Sequence, residues 1–127
     1  MEKQAIHGAS APVSGAPYTP AVRVGNLLFI SGQLGLDPET KKPFESFEAQ
    51  VQGAIAGLRG LVEAAGGSLD NIVKTTIFLS GDMSRFPELN ALYSKHFSEG
   101  VKPARSTFAV AALPLGALVE IEAIAAF

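Results

Sequence analysis

Alternation along the last ten residues, Leu118 to Phe127, constrains this chain more than any other feature. Successive side chains of a β-strand point to opposite faces. Val119, Ile121, Ala123 and Ala125 therefore share one face, while Leu118, Glu120, Glu122, Ile124 and Ala126 share the other. Two carboxylates sit on one face, roughly 6.5–7 Å apart along the strand and framed by aliphatics. Inside an apolar sheet, an ionised carboxylate needs a partner or a raised pKa. A raised pKa is the condition under which a glutamate serves as a general base near neutral pH. On an exposed edge strand the same spacing gives only two solvated glutamates, and the pattern alone leaves both readings open.

The rest of the chain supplies partners for that strand. Residues 1–15 read as an irregular N-terminal segment, and Pro17 and Pro20 extend the irregularity. Val22-Arg23-Val24 and Leu27-Leu28-Phe29-Ile30 flank Gly25-Asn26, the signal of a tight hairpin. Asp37-Pro38-Glu39-Thr40 opens a polar turn. Val51, Ala54, Ile55, Leu58, Leu61, Val62 and Ala65 recur at helical spacing, with Ser46 as N-cap, Glu48 in the first turn and Gly66-Gly67 at the end. Ile72 to Leu79 is rich in β-branched and aromatic residues and predicts a strand. Phe86, Leu89, Tyr93 and Phe97 define a second helix with Pro87 in its first turn, and Gly100 and Pro103 close it. Arg105 to Ala111 predicts a strand, and Leu113-Pro114-Leu115-Gly116 a turn into the last one.

The predicted order is ββαβαββ, a single α+β domain over residues 1–127 with both helices on one face of the sheet. One domain of this length has no second layer for the other face, so another subunit is its natural cover. Composition bears on this point. Charged residues make up 17% of the chain, against about 25% in an average domain. That deficit fits a buried oligomer interface, and it equally fits a sequence rich in Ala and Gly.

Composition also removes function classes. With no Cys there are no disulfides, thiol nucleophiles or Cys-ligated metals. A net charge of −2 advertises neither nucleic acid nor an anionic membrane. No apolar run reaches the ~20 residues of a membrane span. The first twenty residues carry neither a secretory signal nor a transit pattern, so the expected location is cytoplasmic. His7 and His96 stand at no metal-ligand spacing, and no nucleophile elbow is present; neither metal nor cofactor is expected. Gly32 and Gly35 are a fragment of a phosphate loop without its remaining glycines. Arg105, at the start of its strand, suits a carboxylate clamp. It equally suits a structural salt bridge to Glu120 or Glu122 if the last two strands pair.

Several segments resemble the RidA family, the YjgF-type imine deaminases. They are Ala16-Pro17-Tyr18; Gly25-Asn26 leading to Phe29-Ile30-Ser31-Gly32-Gln33; Val73-Lys74-Thr75-Thr76-Ile77-Phe78-Leu79; Phe86 with Asn90; Pro103-Ala104-Arg105-Ser106; and Leu113-Pro114-Leu115-Gly116 running on to Val119-Glu120-Ile121-Glu122-Ala123. The resemblance covers nearly the whole chain from about Ala11. It implies a chorismate-mutase-like fold and a barrel-like homotrimer with clefts between subunits. The implied activity is hydrolysis of reactive 2-enamino and 2-imino acids, such as 2-aminoacrylate and 2-iminobutanoate, to 2-oxo acids and ammonia. By the same resemblance Arg105 holds the substrate carboxylate and Glu120 orients or deprotonates the attacking water. The backbone around Gly32 and Thr107 places the substrate, Tyr18 from a neighbouring subunit closes one wall, and Asn90 borders the cleft. The implied partners are the small imino acid and two further copies of the chain, without nucleic acid or membrane.

The chain departs from the family pattern in places. Ala16 stands where Gly is common, Thr19-Pro20 replaces the usual pair after Tyr18, and Thr107 occupies a frequent Cys position. The turn from Ser98 to Lys102 is short beside some relatives. The family also includes proteins described as ribonucleases or translation inhibitors, as chaperone-like factors and as small-ligand binders.

Overall fold

Local capping sets the ends of the first helix. In the computed structural model, which describes residues 1–8 and 15–127, α1 (Phe47–Ala64) begins where the Ser46 hydroxyl accepts the Ala49 N–H at 3.1 Å. It closes where Gly66 takes φ +96°, a conformation costly for any residue with a Cβ. The stripe read from the sequence is its inner face: Val51, Ala54, Ile55, Leu58 and Val62 are fully buried. The second helix, α2 (Phe86–Ser94), carries Pro87 in its first turn and buries Leu89, Leu92 and Tyr93.

Both helices pack on one face of a six-stranded sheet, formed by β1 (Gln4–Ile6), β2 (Ala21–Val24), β3 (Leu27–Gln33), β4 (Ile72–Ser80), β5 (Ala104–Val110) and β6 (Val119–Ala126). The strand order is β1-β2-β3-β6-β4-β5. All neighbours are antiparallel except β4 and β5. The last strand of the chain thus enters between β3 and β4. Its Val119, Ile121, Ala123 and Ala125 are at most 4% exposed beneath the helices. The α+β architecture with two helices on one face is as the pattern predicts.

Two expectations need correction. Part of the N-terminal segment read as irregular is a strand, since β1 pairs with β2 through Gln4↔Arg23, Ala5↔Val22 and Ile6↔Ala21. A three-residue edge strand has too few positions to show a period of its own, and the open edge of β2 supplies its register. The order is therefore βββαβαββ; residues 9–14 of that segment lie outside the described residues. The second correction concerns the last two strands. β5 pairs with β4 and not with β6, so the premise of a ladder-borne salt bridge between Arg105 and Glu120 or Glu122 fails.

One polar residue was invisible to periodicity. Gln50 is 3% exposed on α1. Its amide donates to Phe44 O at 2.7 Å and accepts the Leu118 N–H at 2.8 Å. Both halves of a buried amide are thereby satisfied, and the entry to β6 is tied to α1. Gly35 lies against this turn of helix: a Cβ there would stand 2.3 Å from Gln50 O. Close packing, rather than phosphate binding, accounts for this glycine.

Candidate functional site

The site residues read from the sequence fall into two groups, and the sheet separates them. Residues paired across a ladder share a face. Arg105 stands opposite Thr75 and Thr107 opposite Ile77, and Thr75 and Ile77 are fully buried under the helices. Glu120 stands opposite Phe78 and Glu122 opposite Thr76, which alternation places on the other face. Within one chain, Arg105 and Glu120 therefore point away from each other through the sheet.

The arginine group is built on β5 and α2. Arg105 Nη2 donates to Asn90 Oδ1 at 2.7 Å. The guanidinium carbon lies 5.1 Å from the Tyr93 ring centroid and 5.5 Å from that of Phe86, within cation–π range. Its one hydrogen-bonding partner among the described residues is a neutral amide, which orients the cation without cancelling its charge. Two residues along the same face, Thr107 Oγ1 is buried without a hydrogen-bond partner. Buried hydroxyls are usually paired, so this one has capacity left for a ligand.

The acidic group is built on β6, on the bulge that interrupts β3 between Ile30 and Gln33, and on the segment before β2. Ser31 fastens that segment: its N–H donates to Pro20 O at 2.9 Å and its hydroxyl to Thr19 O at 2.7 Å. Tyr18 is thereby held near Gly32. A cavity of about 940 Å³ is lined by Tyr18, Gly32, Glu120 and Glu122, with Leu34 and Phe44 among its apolar wall. Gly32 lies so close to Glu120 that a Cβ would stand 2.6 Å from Oε2. Burial raises the Glu120 pKa above its ordinary 4.5, and the charge of Glu122 raises it further.

Sequence reasoning missed two residues of the arginine group's support. Thr75, fully buried in β4, shares a 2.8 Å hydrogen bond with the Tyr93 hydroxyl. A tyrosine on an apolar helix stripe must pair its hydroxyl, and a threonine inside a buried strand is the natural partner. That signal was present in the sequence, without the address of either end. His96 is partly exposed in the turn after α2. Its ring nitrogens meet Gln52 Oε1 at 2.5 Å and Arg59 at 3.4 Å. No group of three His, Asp or Glu side chains is placed to hold a metal among the described residues. No helix there is long and apolar enough to cross a membrane.

The family model described as endoribonuclease L-PSP matches residues 8–127. The chain belongs to the RidA (YjgF) family. A RutC family protein of Aquifex aeolicus is 47% identical to this RidA-family chain over 121 residues, 94% of this chain and 96% of its own. A mouse protein named 2-iminobutanoate/2-iminopropanoate deaminase is 42% identical over 125 residues, 97% of this chain and 90% of its own. The crystal structure of RidA from an Antarctic Psychrobacter superposes with a TM-score of 0.89 at 44% identity, covering 98% of this chain and 99% of that one. The RidA fold is thus shared with these proteins, and some relatives in the family are named as reactive-intermediate deaminases.

Proposed function

We propose that the chain hydrolyses 2-imino acids, and 2-enamino acids through their imine tautomers, to 2-oxo acids and ammonia. The observation that carries this reading is the charge balance at Arg105, a half-buried guanidinium aimed by Asn90 and left without an anionic partner among the described residues. Such a group presents a planar fork to a small carboxylate. Glu120 supplies the complementary chemistry. Its carboxylate takes a proton from water as the oxygen bonds to the carbon of the protonated imine and the C=N π electrons return to nitrogen, giving a neutral carbinolamine. The carboxyl group then returns its proton to that nitrogen, the C–N bond breaks to release ammonia, and the hydroxyl proton passes to solvent as the carbonyl forms. A raised pKa moves both directions of that transfer toward neutral pH. An imine is already electrophilic, so positioning and one acid–base group supply the catalysis.

The two groups act together when they come from different copies of the chain. The sheet face away from the helices exposes Phe29 and Phe108 at 45% and 54%, and it carries Glu120. A homotrimer packed on that face brings the β5 edge of one subunit to the Tyr18–Gly32–Glu120 cavity of the next. The arrangement makes the trimer a condition of activity. The name of the mouse relative supports the same substrate class. The ribonuclease description of the family has less support, since His96 is engaged by Gln52 and Arg59 and the net charge is −2.

A coupled assay tests the reading. Threonine dehydratase releases 2-iminobutanoate, which semicarbazide traps as it forms. Added protein is expected to lower the rate of semicarbazone formation in proportion to its concentration. An unchanged rate, at concentrations where sedimentation equilibrium gives three times the 13.2 kDa chain mass, removes the deaminase assignment.

A further inference from the structure

The support of Arg105 forms a closed loop. Thr75 is the ladder neighbour of Arg105 across β4 and β5. The same Thr75 side chain holds the Tyr93 hydroxyl at 2.8 Å. The Tyr93 ring in turn lies against the Arg105 guanidinium, 5.1 Å from centroid to carbon. Asn90, which accepts from Arg105 at 2.7 Å, stands three residues before Tyr93 on α2 and so on the same helix face. Phe97 backs the ring, stacked at 4.6 Å and 28°. Strand, helix and cation are thus all referenced to one buried hydroxyl pair, with Thr75 fully buried and Tyr93 at 7% exposure.

We propose that Thr75 and Tyr93 are positioning residues that fix the direction of the Arg105 fork and so set the affinity of the site for the substrate carboxylate. A guanidinium on one side-chain acceptor still rotates about that bond. A flat ring at a fixed height removes the rotation, and the ring stays fixed because its hydroxyl is pinned to the strand that carries the ladder partner. The proposal rests on the carboxylate-binding reading of Arg105, and it concerns how tightly the substrate is held rather than the hydrolytic step.

The expected signature is a split between KM and kcat. Tyr93→Phe keeps the ring and removes the pin, and should raise KM about three- to tenfold with kcat nearly unchanged, the scale of one buried hydrogen bond. Thr75→Val should do the same and also lower the melting temperature, because it strands the tyrosine hydroxyl. Thr75→Ser keeps a hydroxyl at the same place and should recover most of the affinity. The combined Thr75→Val, Tyr93→Phe variant separates aim from stability. Removing both polar groups restores much of the stability, yet the ring remains unpinned and KM should stay high.

The Arg105 Nε–H resonance, identified by its loss in Arg105→Lys, gives a readout without activity. Its hydrogen exchange should quicken in Tyr93→Phe and not in Thr75→Ser. Failure of the wild-type chain to consume imine would remove the deaminase reading, while the exchange measurement would still judge the positioning. A KM that recovers in step with melting temperature in the combined variant would overturn the proposal, as would unchanged exchange in Tyr93→Phe.

Discussion

The arginine group and the acidic group reach readiness by different physical means. Arg105 is held by a hydrogen bond, two aromatic faces and a ladder neighbour. Its direction is set by contacts within the chain. Glu120 has no such brace, with no hydrogen-bonding partner among the described residues. What prepares it is environment: burial, a like charge at Glu122 and the close approach of Gly32. A binding group gains from a fixed direction, because every degree of freedom removed beforehand need not be removed by the ligand. An acid–base group gains from a shifted pKa, because its task is to exchange a proton in both directions.

The contrast fails first if Glu120 is dispensable. Glu120→Gln keeps the shape and removes the proton, and we expect turnover to fall about 10²–10⁴-fold while a 2-oxo acid still binds. Its effect on stability runs the other way. The folded protein holds the Glu120 proton more tightly than the unfolded chain, so ionising it costs stability once pH rises above the ordinary 4.5 and on through the folded pKa. Glu120→Gln removes that cost, and its melting temperature at pH 7 should equal or exceed that of the parent. A wild-type pH–rate profile should lose activity on the acid side at a pH above the ordinary carboxylate value. Normal turnover in Glu120→Gln, measured by the trapping assay, would leave the acidic group without a catalytic part.

The next largest effect belongs to Arg105. Arg105→Ala removes a charge-assisted, two-pronged contact and should lower kcat/KM on the order of a hundredfold or more. Arg105→Lys should recover only part, since an ammonium has no planar fork. Because Arg105 and Glu120 occupy opposite faces of the sheet, neither change should lower melting temperature through the loss of a mutual ion pair. Equal losses of stability in both variants, followed by differential scanning fluorimetry, would restore the view that the two brace each other.

The smallest effect sharpens the comparison within the acidic group. In Gly32→Ala the new methyl stands 2.6 Å from Glu120 Oε2 and 2.7 Å from its carboxyl carbon. The carboxyl swings aside on a flexible stem, so folding should be little changed while turnover falls about tenfold, the cost of a displacement well under an ångström or two. Binding of a 2-oxo acid should hold, because the Arg105 group is untouched. Weakened product binding with intact turnover would mean that Gly32 serves the carboxylate rather than the acid–base step.

Much of this was legible in the chain itself. The helical stripe from Val51 to Val62, the Ser46 cap, the hairpin at Gly25-Asn26 and the placement of Glu120 and Glu122 on one face are local properties. Each depends on a period or a turn spanning only a few residues, and each stands in the structure where the sequence puts it. β1 escaped because three residues carry no period, and Gln50 because a polar residue on an apolar stripe does not announce its partners.

Backbone geometry couples neighbours along the chain, so local pattern alone specifies both helices and the five longer strands, which side of each is apolar, and which residues belong to the RidA pattern. The folded chain alone places β4 between β5 and β6, turns Arg105 and Glu120 to opposite faces and brings Thr75 to Tyr93 beneath the guanidinium. Strand order is set by long-range pairing, in which many orders satisfy the same local alternation and differ only in which faces and edges they bring together. For this protein that choice puts Arg105 and Glu120 on opposite faces of the sheet within each chain.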